Sequence, residues 1–197
     1  GLPARLRGST TVLSEDTRKD PRHSANSWPV ALLYSLYKIF ATALADRLGP
    51  VLSGWAHPFQ TGFIPGRRIT HNTLELQSIY DYANKKGAPV ALALLDIKKA
   101  FDSVHHDWLD LVMEKAGFPV YFRRAVRTIT AEGIARVRIG NYFSEPLRIE
   151  RGVRQGCPLS PLLFAIAMDP VLRQLNALVD PSSITLPGDP RDGRFRP

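Results

Sequence analysis

The feature that most constrains this sequence lies at residues 89–104, where a short apolar run ends in a carboxylate. Residues 90–95 are too few to cross a membrane and have the length of a buried β-strand. Asp96 follows directly, and Phe101 and Asp102 come soon after. A buried strand that ends in Asp can hold a metal or a catalytic acid on a rigid element. An Asp that only caps the next turn would give the same pattern, so the stretch alone leaves both interpretations open.

Composition indicates a globular chain. The 197 residues are 44% hydrophobic and 22% charged, which suits one folded domain or slightly more, and no apolar run reaches the length of a membrane helix. No signal-peptide pattern opens the chain, and because its first residue is Gly we expect it to be a piece of a longer protein. The single cysteine, Cys157, excludes an internal disulfide and fits a reducing compartment.

The charge balance favours a polyanionic partner. The net charge is +8, and eight arginines stand against three glutamates between Arg123 and Arg154. Arginine suits phosphate because its planar fork can bind two oxygens at once. These numbers predict contact with nucleic acid, although a solvated basic face would give the same composition.

Apolar spacing and turn residues predict an α+β fold in which an antiparallel sheet is backed by helices. Short strands are expected before residue 34, and residues 181–197 are expected to be disordered because they are poor in apolar side chains. The other predicted elements are a helix at 36–52, a loop at 57–68, a helix from Thr70 or Asn72 to Gly87, a strand at 89–96, a helix from Asp107 to Gly117, a helix from Pro119 to Glu132, a hairpin at 134–150 with its turn at Gly140-Asn141, and a helix opening at Ser160-Pro161.

Four segments, taken together, resemble the reverse transcriptases of non-LTR (LINE-type) retrotransposons. The segments are Trp-Pro-Val-Ala-Leu-Leu at 28–33 with Tyr-Lys-Ile at 37–39, Gln-Thr-Gly-Phe at 60–63 with Gly-Arg at 66–67, Leu-Leu-Asp-Ile-Lys-Lys-Ala-Phe-Asp-Ser-Val at 94–104, and Arg-Gly-Val-Arg-Gln-Gly-Cys-Pro-Leu-Ser-Pro-Leu-Leu-Phe at 151–164. The last two are long and specific, and they occur in the order the family has. The resemblance covers roughly residues 12–178.

The resemblance implies a right-hand polymerase. Residues 1–88 would form the fingers region, residues 89–180 a partial palm, and residues 181–197 a disordered tail. The implied activity is RNA-directed DNA synthesis with Mg²⁺ (or Mn²⁺). RNA template, DNA primer and deoxynucleoside triphosphates would be the partners, with no membrane involved. The retrotransposon life cycle implies a nuclear or cytoplasmic location.

The resemblance also implies roles for single residues. Asp96 would be the catalytic metal ligand, joined by the backbone carbonyl of Ile97, because oxygen ligands suit magnesium. Phe101 would lie beneath the sugar and exclude a 2′-hydroxyl, while simple core packing is the alternative. The nucleotide would also contact Gln155 and Gly156. The residues expected to meet template or primer are Gln60, Gly62, Phe63, Arg67, Arg154 and Pro158; for Arg67 a solvated loop position is the alternative.

The sequence departs from the family at two places. The family carries two adjacent aspartates in a later motif, usually Tyr-Ala-Asp-Asp, and no Asp-Asp pair occurs in this chain. Trp28 stands where similar enzymes have Arg, and residues 12–16 lack the expected Lys. We therefore expect a copy truncated before that motif, and one that does not polymerise alone. The alternatives are a non-catalytic nucleic-acid-binding remnant and a decayed chain with little folded stability.

Overall fold

The structure, a computed structural model, describes residues 8–15, 27–87, 91–131, 133–139 and 141–178. Two strands come first along the described chain, followed by five helices, three strands and a last helix. In order they are β1 (Gly8–Glu15), β2 (Ser27–Leu33), α1 (Ser35–Trp55), α2 (Ile69–Lys86), α3 (Ala100–Ser103), α4 (His106–Lys115), α5 (Val120–Thr130), β3 (Ile134–Ile139), β4 (Tyr142–Phe143), β5 (Leu147–Arg148) and α6 (Ser160–Leu178). This is a mixed fold of helices and one sheet, as the sequence predicts.

The sheet is built around β1 and β3. β2 pairs antiparallel with β1, while β4 and β5 pair antiparallel with β3. β1 and β3 run parallel, with Gly8 opposite Ile134 and Val12 opposite Arg138. Among the described strands the predicted antiparallel pairing is therefore found at three pairs and is wrong for β1 with β3. A parallel pairing needs a long crossover, and the chain from β2 to β3, which contains helices α1 to α5, supplies one.

The core lies among the helices. α4 packs against both α5 and α6, and α1 packs on α6. Side chains at helical spacing fill the space between them. The largest fully buried ones include Leu48, Leu52, Leu109, Met113, Ile129, Leu163 and Ile166. The predicted inward face of α4 (Leu109, Val112 and Met113) is confirmed, since all three are buried.

A bidentate ion pair joins α4 to α5. The Nε and Nη2 atoms of Arg123 donate to the two carboxylate oxygens of Asp110, each at 2.9 Å. These hydrogen bonds hold the pKa of Asp110 below its usual range. Arg127 and Glu114 extend the pair into a small network on the surface of the two helices.

The predicted buried strand at 89–96 is wrong for the residues that the structure describes. Residues 91–97 belong to neither a helix nor a strand and are exposed, with Leu94 and Leu95 each 82% accessible. A strand is buried only where neighbouring strands satisfy its backbone and another layer covers its side chains. No strand of the described sheet pairs with this segment.

The other predicted elements are confirmed with small shifts at their ends. The strand at 30–33 is part of β2, the first helix continues through Pro50 to Trp55, and Gly87 caps α2 with a φ of 63°. The hairpin forms with Ile139 opposite Tyr142. Glu132, Gly140 and the tail at 181–197 lie outside the described residues. No helix among the described residues is long and apolar enough to cross a membrane.

Candidate active site

Two backbone hydrogen bonds join the segment after Asp96 to the glycine-rich loop at 151–159. The amide of Gly152 donates to the carbonyl of Val104 at 2.7 Å, and the amide of Val153 donates to the carbonyl of Phe101 at 2.8 Å. The ring Nε2 of His106 also lies 2.9 Å from the carbonyl oxygen of Gly152. The third and fourth family-like segments, about fifty residues apart in sequence, are therefore in direct contact.

This contact requires a glycine at position 152. Gly152 has a φ of 93°, and a Cβ there would lie 3.0 Å from the Cα of Asp102 and 3.1 Å from its carbonyl oxygen. Gly156 has a φ of 89°, and a Cβ there would lie 3.3 Å from the carbonyl oxygen of Ala31 in β2. The two glycines thus bring the loop against both the first and the third family-like segments.

Phe101 lies between aromatic side chains from two other segments. Its ring stacks on Phe164 of α6, with centroids 5.1 Å apart and an interplanar angle of 17°. Phe63 meets the same ring edge-on at 5.9 Å. Phe101 is half-buried in this contact. The expected packing role is therefore present.

Phe63 itself has an unusual backbone. Its φ is 63°, a left-handed conformation that costs free energy for any residue other than glycine, and its side chain is 53% exposed. Neighbouring contacts hold the loop in shape, among them the hydrogen bond that the side-chain Nε2 of Gln60 donates to the carbonyl of Gly62 at 3.1 Å. Strain of this kind is common at functional sites, which agrees with the predicted template role without testing it.

Arg67 stabilises the end of a helix. Its guanidinium donates to the carbonyls of Ser53 and Ala56 at the C-terminus of α1, each at 2.9 Å. It also donates to the carbonyls of His57 and Gln60, at 2.6 and 2.8 Å. An arginine that satisfies the last carbonyls of a helix has a structural role. Binding of template by Arg67 stays a prediction. The alternative that Arg67 is only a solvated loop arginine is wrong, because its guanidinium contacts four carbonyls.

Asp169 also holds the candidate site together, and it was not identified from the sequence. It is 1% exposed, and its carboxylate accepts a hydrogen bond from the amide of His57 at 2.7 Å and another from Arg173. Arg173 also donates to the carbonyl of Trp55 at 2.7 Å. Asp169 and Arg173 thus connect α6 to the end of α1 and to the start of the loop at 57–68. The available signal was the i, i+4 spacing of Asp169 and Arg173 on one helix.

Arg154 lies beside Tyr37 in the interior. It is 7% exposed, and its guanidinium carbon is 5.1 Å from the centre of the Tyr37 ring. The Tyr37 hydroxyl lies 3.5 Å from the sulfur of Cys157, and burial raises the pKa of Tyr37 above its usual range. Cys157 is buried, as a packed residue would be. Arg154 thus has a packing role, and its predicted contact with template stays a prediction.

Asp96 and Ile97 both lie in the exposed segment at 91–97. No group of three or more His, Cys, Asp or Glu side chains that could hold a metal ion occurs among the described residues. One carboxylate and one carbonyl are too few oxygen ligands for a stable divalent site. The described residues therefore do not form a complete metal site, and the metal role of Asp96 stays a prediction.

A cavity of about 180 Å³ lies between the sheet and the glycine-rich loop. Its lining includes Ala31 of β2, Asp102, Arg151 and the predicted nucleotide contact Gln155. Gly156, the residue after Gln155, and Pro158 are exposed. The structure thus brings the predicted nucleotide residues of the loop to one place, next to the segment that carries Phe101.

The sequence pattern of the family described as reverse transcriptase (RNA-dependent DNA polymerase) matches residues 18–185. The match covers most of the chain and includes all four segments. The chain belongs to the reverse transcriptase family, which confirms the prediction made from those segments.

Relatives support the same assignment. The chain is 37% identical over 162 residues to the transposon TX1 uncharacterized 149 kDa protein of Xenopus laevis, covering 82% of this chain and 12% of that protein. It is 34% identical over 175 residues to a retrovirus-related Pol polyprotein from retrotransposable element R2 of Nasonia vitripennis, covering 88% of this chain and 17% of that protein. It is 29% identical to a probable RNA-directed DNA polymerase from transposon BS of Drosophila melanogaster, covering 74% of this chain and 16% of that protein. The chain therefore spans less than a fifth of the length of these relatives.

Proposed function

We propose that this chain forms the fingers and part of the palm of a retrotransposon RNA-directed DNA polymerase, with residues 1–88 in the fingers and 89–180 in the palm. The observation that carries the proposal is the contact among the family-like segments. Phe101 and Val104 are hydrogen-bonded to the loop at 151–159, Gly156 approaches β2, and Phe63 touches Phe101. Segments that share one family pattern thus meet at one place.

Within this proposal each side chain has a distinct task. Asp96 and the carbonyl of Ile97 provide part of the ligand set for Mg²⁺ or Mn²⁺. The ring of Phe101, held by Phe164, lies under the sugar and disfavours a 2′-hydroxyl. Gln155 contacts the nucleotide, and Gly156 leaves room for it to approach the backbone.

The template and primer are assigned to the neighbouring surface. In the loop at 57–68 the ring of Phe63 contacts Phe101 edge-on, and Gln60 and Gly62 are joined by a hydrogen bond. Pro158 is exposed on the facing loop. Arg67 and Arg154 would act mainly by holding these loops in shape, because their guanidinium groups are occupied by carbonyls and by the Tyr37 ring respectively.

The test is primer extension by the 197-residue chain on an RNA template with Mg²⁺ and deoxynucleotides. We expect no extension above background, because two divalent ions need more carboxylates than Asp96. Extension that is lost in Asp96→Asn and kept in Asp46→Asn, an exposed control on α1, would show that the chain completes a metal site and would overturn the inactivity that we propose. Extension kept in both variants would overturn the role of Asp96.

A second candidate function is nucleic-acid binding without catalysis. The net charge of +8 and the incomplete metal site among the described residues favour it. An RNA–DNA hybrid should then bind with an affinity that falls steeply as salt rises, while primer extension stays at background. An affinity that does not change with salt would count against phosphate contacts, and a broad, non-cooperative melt would indicate a decayed chain.

A further inference from the structure

The sheet has a second face, opposite the cavity of the candidate site. Ser9 and Ala135 are register partners and both line the cavity. Since side chains alternate along a strand, their neighbours Thr10 and Arg136 point to the other side. We call this side the outer sheet face; its described side chains are Thr10, Leu32, Ile134, Arg136, Arg138, Phe143 and Arg148.

Three arginines lie close together on the outer sheet face. Arg148 of β5 is opposite Ile134 of β3, so Arg136, two residues further along β3, is its diagonal neighbour. Diagonal neighbours have Cα atoms roughly 7–8 Å apart, and residues two apart on one strand are separated by about 7 Å. Arg136, Arg138 and Arg148 therefore present a compact row of positive charge.

The described side chains of the outer sheet face include no carboxylate that could balance Arg136 and Arg148, since none of the seven is Asp or Glu. The arginines of α5 differ, because Arg123 and Arg127 face the carboxylates of Asp110 and Asp107. Arg136 and Arg148, which lie close together on the sheet, repel each other unless an anion lies between them.

Apolar side chains accompany the arginines. Phe143 is 56% exposed, Leu32 52% and Ile134 44%, and the guanidinium carbon of Arg138 lies 5.8 Å from the centre of the Phe143 ring. A surface of arginines interleaved with exposed ring and aliphatic groups matches a ligand that alternates phosphates with flat bases. An acidic peptide offers the charge and lacks the rings, and the bases of a duplex are stacked away from such a surface.

We propose that the outer sheet face binds single-stranded nucleic acid, with phosphates on Arg136 and Arg148 and a base against Phe143. This site is separated from the candidate active site by the sheet itself. It does not depend on Asp96 or on a metal, so failure of primer extension leaves it standing. Its function would be to hold a strand outside the region where the family-like segments meet.

The test uses the full 197-residue chain and a fluorescein-labelled oligouridylate of about 15 nucleotides, followed by fluorescence anisotropy over a range of salt concentrations. The outer-face variant is Arg136→Gln with Arg148→Gln. The matched control is Arg47→Gln with Arg124→Gln, which removes the same charge from exposed positions on α1 and α5. Circular dichroism melts check that both variants fold.

We expect the outer-face variant to bind at least about tenfold more weakly at low salt, because two charge-assisted phosphate contacts are lost. The slope of log affinity against log salt should fall by about 1.4, or about 0.7 for each phosphate on a single strand. The control should keep its slope and stay within about twofold in affinity. Phe143→Leu should weaken binding by about fivefold or more with the slope unchanged.

Three results would overturn the proposal. The first is an unmodified chain that does not bind the oligouridylate. The second is an outer-face variant indistinguishable from its charge-matched control, which would place any binding elsewhere on the chain. The third is displacement of the RNA by polyglutamate of equal charge at the same concentration, which would indicate an acidic protein partner in place of nucleic acid.

Discussion

Gly152 carries the tightest backbone requirement near the candidate site. Gly152→Ala should lower the free energy of unfolding for two separate reasons. The left-handed φ costs about 1–2 kcal/mol for an L-residue, and the contact with the Asp102 backbone adds about 1–3 kcal/mol of overpacking. Urea unfolding measures the change.

Gly117 offers a matched control for this substitution. Its φ of 80° is also left-handed, but a Cβ there would meet nothing within 4 Å. Gly117→Ala should therefore show only the conformational cost. Equal losses in the two variants would mean that the loop moves away from Asp102 without a penalty, contrary to the close contact described above. The family resemblance singled out Gln155 and Gly156 in this loop as nucleotide contacts, but did not predict that protein backbone occupies the space beside Gly152.

At the scale of single elements, the side chain of Arg67 stabilises the C-terminus of α1. Arg67→Met should lower the free energy of unfolding by about 2–4 kcal/mol, because four carbonyls at the end of α1 and in the following loop lose a charged donor. Arg68→Met removes the same charge from the exposed neighbouring residue and should stay within about 0.5 kcal/mol. Thermal and urea unfolding give both values.

Comparison of Arg67→Met with Arg68→Met also distinguishes a structural role of Arg67 from a role in binding template. If Arg67→Met keeps its stability and loses affinity for an RNA–DNA hybrid, the guanidinium contacts nucleic acid and not the helix end. The sequence predicted the loop from its glycines and prolines. It could not predict which arginine faces the end of α1, because that depends on how the loop folds back over a helix that ended twelve residues earlier.

The molecule as a whole exposes an apolar segment at 91–97. Leu94→Ser with Leu95→Ser should change the free energy of unfolding by no more than about 0.5 kcal/mol per site, because both side chains are 82% exposed. The double variant should also bind less of a hydrophobic dye and self-associate less than the unmodified chain. Leu109→Ser, at a side chain 2% exposed, is the destabilising comparison. A large loss of stability in the double variant would show that the leucines are buried, as the sequence predicts.

Local pattern was enough to identify most of this fold. The spacing of Leu109, Val112 and Met113 predicted the buried face of α4, and Gly140-Asn141 predicted the position of the hairpin. Family membership was equally accessible, because residues 94–104 and 151–164 are long and specific. Such features are carried by residues close together in the chain, so their spacing alone encodes them.

The exposure of residues 91–97 and the parallel pairing of β1 with β3 could not be predicted from local pattern. An apolar run becomes a buried strand only if other parts of the chain give it hydrogen-bond partners and a covering layer, and the described sheet gives none to residues 91–97. β1 and β3 are more than a hundred residues apart, and their pairing depends on how five helices pack between them. Local order follows from neighbouring side chains, whereas these long-range contacts depend on which surfaces remain to be covered once the helices have packed.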